Sequence, residues 1–503
     1  MTIGKAFRRT VPAFVLLAAL WPLPGSAQTI ETKQYEDGGI YEGSFLNGKQ
    51  HGLGTYRLPN GYEYTGEWFE GEIRGQGTAR FPNGSVYEGA FALGKPEGSG
   101  RIIFADGGIY EGDWVDGRIT GQGVAVYANG IRYEGQFQNA MHHGQGTMSA
   151  PDGYIYAGAW VNGVREGEGS ITYPDGSIYE GTLVNGEREG TGTLMMPDGL
   201  IYVGAWRAGQ IDGEGRLTQP NGDVYEGTMV EGRRAGTGTV TYANGDTYQG
   251  GFVGDLRHGQ GTFTGIDGYR YLGAWEGGQA EGQGEVRYPD GSVYLGLFLD
   301  DLAHGQGRIT YPDGATYEGG WAAGVIEGRG IATYANGLVY EGAFLAARNH
   351  GQGRMTYPDG YVYDGQWENG QRHGTGTATY ADGTIYVGGF VDGQRHGQGR
   401  ITMPDGFSYD GAWVAGEISG TGIATYANGD IYEGTFRNGR RDGTGTMRYG
   451  TGETEAGTWT DGALTAAAEA ESVPGSGPES VAAEPVAAET PGTDPAPETG
   501  SGG

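Results

Sequence analysis

Three files of residues in this chain are of types that do chemistry. Seven of the eight histidines (His51, His143, His258, His304, His350, His373 and His396) each stand directly before a Gly-x-Gly triplet, which suggests metal binding or a pH-sensitive stack. An acid follows a tyrosine at Glu42, Glu88, Glu111, Glu134, Glu180, Glu226, Glu318, Glu341, Asp364, Asp410 and Glu433, a row that suggests cation binding. Nine of the ten tryptophans share one register, among them Trp68, Trp114, Trp160, Trp206, Trp275, Trp321, Trp367 and Trp413, and regularly spaced indoles suggest stacking on sugar rings.

Spacing limits the first two files. Copies of a two-strand repeat lie roughly 9 to 10 Å apart, whereas the ligands of one zinc must each approach within about 2.1 Å, so the histidines read as solvent-facing loop residues. One acid per repeat falls short of the 6 to 8 oxygen ligands of Ca²⁺. The Gly-x-Gly triplets lack the strand-to-helix context of a phosphate loop, and no serine, histidine and carboxylate constellation stands out from the register. The sequence therefore predicts no catalytic residue, no metal site and no cofactor, and so no enzyme.

The tryptophan register carries two readings. Trp alternates there with Phe or another apolar residue, and the alternation slips once, at Met229 and Phe252, which makes 46 residues the true unit. The first reading is packing inherited from duplicated pairs of repeats. The second makes Trp68, Trp114, Trp160, Trp206, Trp275, Trp321, Trp367 and Trp413 an interaction surface lining a groove, with a kink or contact site near residues 229–268, where Gly265-Ile266-Asp267-Gly268 lacks the usual aromatic and Pro.

The elements that must position these files come from a 23-residue repeat. Gly43, Gly66, Gly89 and their successors to Gly457 follow at steps of 23, and Tyr stands two residues before each except the last, where Glu455 replaces it. Within a repeat, residues such as Tyr179, Gly181 and Leu183, then Gly190, Gly192, Leu194 and Met196, alternate with polar ones, the mark of strands with one buried face. Pairs such as Asn47-Gly48 supply the positive φ of a tight hairpin turn, and Pro174-Asp175-Gly176 and its equivalents end each repeat. Each buried-face glycine sits two residues from an aromatic, so a ring from a neighbouring strand is expected to cover the bare backbone. The prediction is an all-β, elongated, single-layer twisted antiparallel sheet, a rod of 23-residue β-hairpins extending on the order of 180 Å at about 4.8 Å per strand.

The motif Tyr-Glu-Gly-x-[Phe/Trp]-x-x-Gly-x-x-x-Gly-x-Gly-x-x-x-Tyr-x-[Asp/Asn]-Gly, repeated in one register from Tyr41 to Gly462, resembles a tandem MORN-repeat protein of the exported bacterial type. The resemblance implies extended hairpin arrays used as scaffolds and membrane-associated adaptors, some joined to an enzyme domain and some dimerising through terminal repeats. Outside the repeats this chain has no room for a kinase or methyltransferase domain.

Charge and termini bound the partners. With 62 acids against 32 Lys and Arg, and three of those bases (Lys5, Arg8, Arg9) in the leader, nucleic acid and anionic membranes are poor partners. Lys5, Arg8 and Arg9 precede an apolar run and then Gly25-Ser26-Ala27, which reads as a secretory signal peptide over 1–27. A short lead with a partial first hairpin follows over 28–40, 19 repeats over 41–462 with the last degenerate, and an acidic Ala/Glu/Pro/Gly tail, expected to be disordered, over 463–503. There is no cysteine. The expectation is a periplasmic or extracellular scaffold for envelope proteins, self-associating through a terminal stretch. Cell-wall glycan binding through the Trp and Tyr faces and peripheral membrane attachment are the alternatives.

Overall fold

The alternation is realised as strands throughout residues 29–467, the part of the chain that the computed structural model describes. The expected signal peptide, over 1–27, and most of the expected tail lie outside the described residues. The chain divides into two units, one ending at Gln210 and the other starting at Ile211. Each is an open antiparallel ladder of β-hairpins in chain order, in which a seven-residue strand such as Ile40–Leu46 is followed by a nine-residue strand such as Lys49–Arg57.

Register explains the difference in strand length. Tyr41 pairs with Tyr56 and Gly43 with Gly54, but Phe45 then pairs with Gln50, so the long strand carries two extra residues against its hairpin partner. The first glycine of each Gly-x-Gly triplet absorbs this bulge: Gly52 has φ +77° and Gly190 φ +70°, conformations that cost other residues strain. Gly190 therefore leaves the buried face to which the alternation had assigned it. The second glycine stays on that face, where Gly43, Gly54 and Gly66 fall into line across three strands.

This glycine row allows close strand contact and seats the tyrosines. A Cβ on Gly54 would lie inside the Tyr41 ring, and one on Gly43 would meet both that ring and the Gly54 backbone. For Gly54 the covering ring comes from the neighbouring strand of its hairpin, as expected, whereas for Gly43 it comes from the glycine's own strand.

Turn chemistry follows the sequence. Asn47 and Gly48 both have positive φ (53° and 79°), the type I′ geometry whose twist matches the strands. Between repeats, Tyr173 N–H donates to Ser177 O at 2.8 Å, Gly176 N–H donates to Tyr173 O at 2.9 Å, and the Asp175 carboxylate accepts the Ser177 N–H at 2.8 Å. The same I′ device at Asp461 and Gly462 adds a last strand, Ala463–Ala467, so the sheet runs five residues into the segment assigned to the tail.

The expected break near 229–268 is not seen in the register. Met229 pairs with Arg234 as its equivalents do, and Gly265 closes its turn with Tyr269 by the usual 2.8 Å bond.

Candidate functional site

The tyrosine face is the core of both units. Tyr41 and Tyr64 are fully buried, and their hydroxyls each donate to the carbonyl three residues on, Ser44 and Glu67, at 3.0 Å. Burial pushes the Tyr41 and Tyr87 phenols up to about 12, which keeps them protonated donors.

The eight candidate tryptophans belong to this core. Trp68, Trp114, Trp160, Trp206, Trp275, Trp367 and Trp413 are only 2 to 7% exposed, and Trp321 is half-buried. Each indole N–H donates to a glycine carbonyl 14 residues earlier, at 2.9 to 3.3 Å. The Trp68 ring meets Tyr41 and Tyr64 edge-on at 5.1 and 5.6 Å. Stacking a sugar needs an open ring face, and these rings are enclosed, so the geometry favours packing.

A second alternation in the sequence explains the 46-residue unit. The hairpins of Trp68, Trp114, Trp321, Trp367 and Trp413 carry a buried Ala on the long strand (Ala79, Ala125, Ala332, Ala378, Ala424). Those of Phe91, Phe298 and Phe390 carry Ile102, Ile309 and Ile401 at the same place. In these hairpins large and small residues alternate in step, as close packing requires, whereas the hairpins of Trp160, Trp206 and Trp275 carry Ile171, Leu217 and Val286 at that place.

An arginine series nine residues after the tyrosine was missed by motif reading, although each member stands at one fixed place in the repeat. Arg165, Arg188, Arg257, Arg372 and Arg441 each donate Nη2–H to a turn-glycine carbonyl of the next repeat, at 2.6 to 3.0 Å. Arg188 and Arg257 also lie 4.2 and 3.9 Å from the Trp206 and Trp275 ring centres. These cations tie one hairpin to the next. Arg395, 4% exposed, has Nε and Nη1 without partners, whereas Arg372 Nη1 meets the Tyr361 hydroxyl.

His142, the one histidine outside the file, occupies the arginine place. Its ring stacks on Tyr133 at 3.7 Å, bonds the Tyr127 hydroxyl at 2.7 Å, and is pushed down to about 4 by burial. The seven filed histidines lie in long strands, not in loops: His258, His304 and His396 are exposed and the others half-buried. No group of three or more His, Cys, Asp or Glu able to hold a metal occurs among the described residues.

The acid row lies on the opposite, wet face and is partly neutralised. Arg101 pairs across the sheet with both Glu88 and Glu111, Arg354 with Glu341 and Asp364, and Arg216 Nη1 reaches Glu226 Oε1 at 3.1 Å. In the first unit an open groove of about 680 Å³ runs over the tyrosine side, with Tyr154, Tyr173, Trp160, Arg165 and Arg188 on its walls and floor.

Eighteen consecutive segments, from 41–61 to 432–454, match the family model described as MORN repeat, and the copy with Glu455 is not among them. No curated protein matches the chain. Among solved structures, the TCP domain of Drosophila melanogaster SAS-4, in complex with a proline-rich motif of Ana2, is 16% identical over 42% of this chain and 99% of its own, at a TM-score of 0.20. The TCP10 domain of Danio rerio CPAP is 15% identical over 44% of this chain and 98% of its own, at a TM-score of 0.19. A streptogramin B lyase covers 59% of this chain and 92% of its own at 12% identity and a TM-score of 0.11. Likenesses at these scores carry no argument about fold or function.

Proposed function

Because the chain belongs to the MORN-repeat family, we propose that it is an exported, non-enzymatic scaffold whose hairpin array holds proteins of the cell envelope. The observation that carries this reading is the uniformity of the array: eighteen matched copies repeat one packing solution, and none departs from it to assemble a reaction centre. Tandem arrays of this repeat are non-catalytic scaffolds. Export is read from Lys5, Arg8, Arg9 and Gly25-Ser26-Ala27. The net charge of −30 weighs against anionic membrane surfaces as the docking partner.

The test is a pull-down with residues 28–503 as bait against envelope extract, run beside co-sedimentation on isolated cell wall. A short, reproducible set of envelope proteins that survives wall digestion supports a scaffold. Retention on wall polymer without proteins would replace it with the glycan reading.

A further inference from the structure

The outer face of the second unit holds two strands with no polar outward residue, Val293–Leu299 and Ile385–Val391, and the first presents the bulkier side chains. In Val293–Leu299 the outward residues are Val293, Leu295, Leu297 and Leu299, so this strand is apolar on both faces. Leu297 is the only large apolar side chain at its place in the repeat among the described residues, where the other copies carry Ala, Gly, Thr, Ser, Gln, Glu or Asp. Leu295 is 57% exposed, and Leu272, Leu299 and Leu302 are exposed around it. A cluster of leucines on a wet sheet face costs solubility and adds nothing to the fold, which marks a contact surface.

Charge specifies the occupant. Leu295 pairs with Glu285 on one neighbouring strand and with Arg308 on the other, so opposite charges flank the leucine on the same face. The other exposed residues at this place lack that pair: Leu272 lies between Thr262 and Glu285, and Val387 between Thr377 and Arg400. A two-fold axis along the strand, midway between two facing sheets, brings Leu295 onto Leu295 of a second copy. It also exchanges left for right, so Glu285 meets Arg308 of the second copy and Arg308 meets its Glu285. We propose that the chain forms an isologous face-to-face dimer through Val293–Leu299, with sheets packed about 10 Å apart as in other aligned sheet pairs. The contact is independent of the terminal strands.

Sedimentation of residues 28–503 over a wide concentration range tests this, with Leu295→Glu, Glu285→Arg and Arg308→Glu, all surface changes that leave the strand spectrum intact. The expected result is a monomer–dimer equilibrium weakened at least tenfold by each change. An equimolar mixture of the Glu285→Arg and Arg308→Glu chains should dimerise again, because the mixed pair restores two opposite-charge contacts. A monomer at all concentrations overturns the proposal. So does a dimer indifferent to Leu295→Glu, or a mixture no tighter than its components.

Discussion

The indole N–H of Trp367 donates to the carbonyl of Gly353, 2.9 Å away on the long strand of the preceding repeat. Gly353 is paired on its two sides with Gly342 and Gly365, so the tryptophan bonds to the glycine row that the tyrosine rings cover. Tyr, Gly and Trp form one lattice, and changing any of the three disturbs the seating of the others.

Glycines in the row and glycines in the turns should therefore respond differently to a methyl group. A Cβ on Gly342 meets the Gly353 backbone at 2.5 Å, whereas one on Gly370 (φ +86°) meets nothing within 4 Å. Gly342→Ala is expected to destabilise its neighbourhood by more than about 2 kcal/mol, since backbone must move. Gly370→Ala should cost only about 1 to 2 kcal/mol of left-handed strain. Native-state hydrogen exchange of the flanking strands, which reads local stability in an array, distinguishes the two.

The turn at Ala346 and Ala347 is strained for the same conformational reason. Both residues have positive φ, 48° and 60°, where most hairpins place a glycine second. Ala347→Gly is expected to stabilise by about 1 kcal/mol, seen as a higher denaturant midpoint for the surrounding strands.

The repeat period, the hairpin turns and the buried Tyr-Gly face were legible because each follows from spacing alone. Other features depend on three-dimensional pairing. The bulge at Gly52 arises where one hairpin strand outruns its partner, which alternation does not reveal. The arginines that neutralise the acid row, such as Arg101 opposite Glu88, lie thirteen residues away in sequence and become neighbours only through register. Burial of the tryptophans was signalled by the matching Ala79 and Ile102 alternation, visible in the sequence but meaningful only once both positions face one layer.

His142 should give the first unit a pH-dependent stability. Its folded value of about 4 lies below the ordinary imidazole value of 6.5 because burial against Tyr133, Trp160 and Phe137 disfavours the cation. The contribution is complete above the unfolded value and is lost as pH falls from about 6.5 toward 4. His142→Ile, which copies Ile119 of the preceding repeat, should flatten the slope in that window. A His142 imidazole proton resonance, identified by its loss in His142→Ile, that titrates near 6.5 in the folded chain would contradict the assignment.

Arg372 and Arg395 occupy equivalent places with unequal partners. Arg395→Ile removes two buried donors that lack acceptors and copies Ile418 of the next repeat, so it is expected to be neutral or stabilising by about 1 kcal/mol. Arg372→Ile breaks bonds to the Tyr361 hydroxyl and the Gly393 carbonyl and should cost about 1 to 3 kcal/mol. Thermal unfolding of the two variants side by side orders them.

The most direct measurement is tryptophan emission from residues 28–503, because Trp21 is absent from that chain and every remaining indole belongs to the lattice. Blue-shifted emission, poorly quenched by acrylamide and unchanged by isolated cell-wall polymer, is the predicted result. Red-shifted, readily quenched emission that shifts when wall polymer is added would show that the rings are open, and that the ladder is a binding surface and not a core.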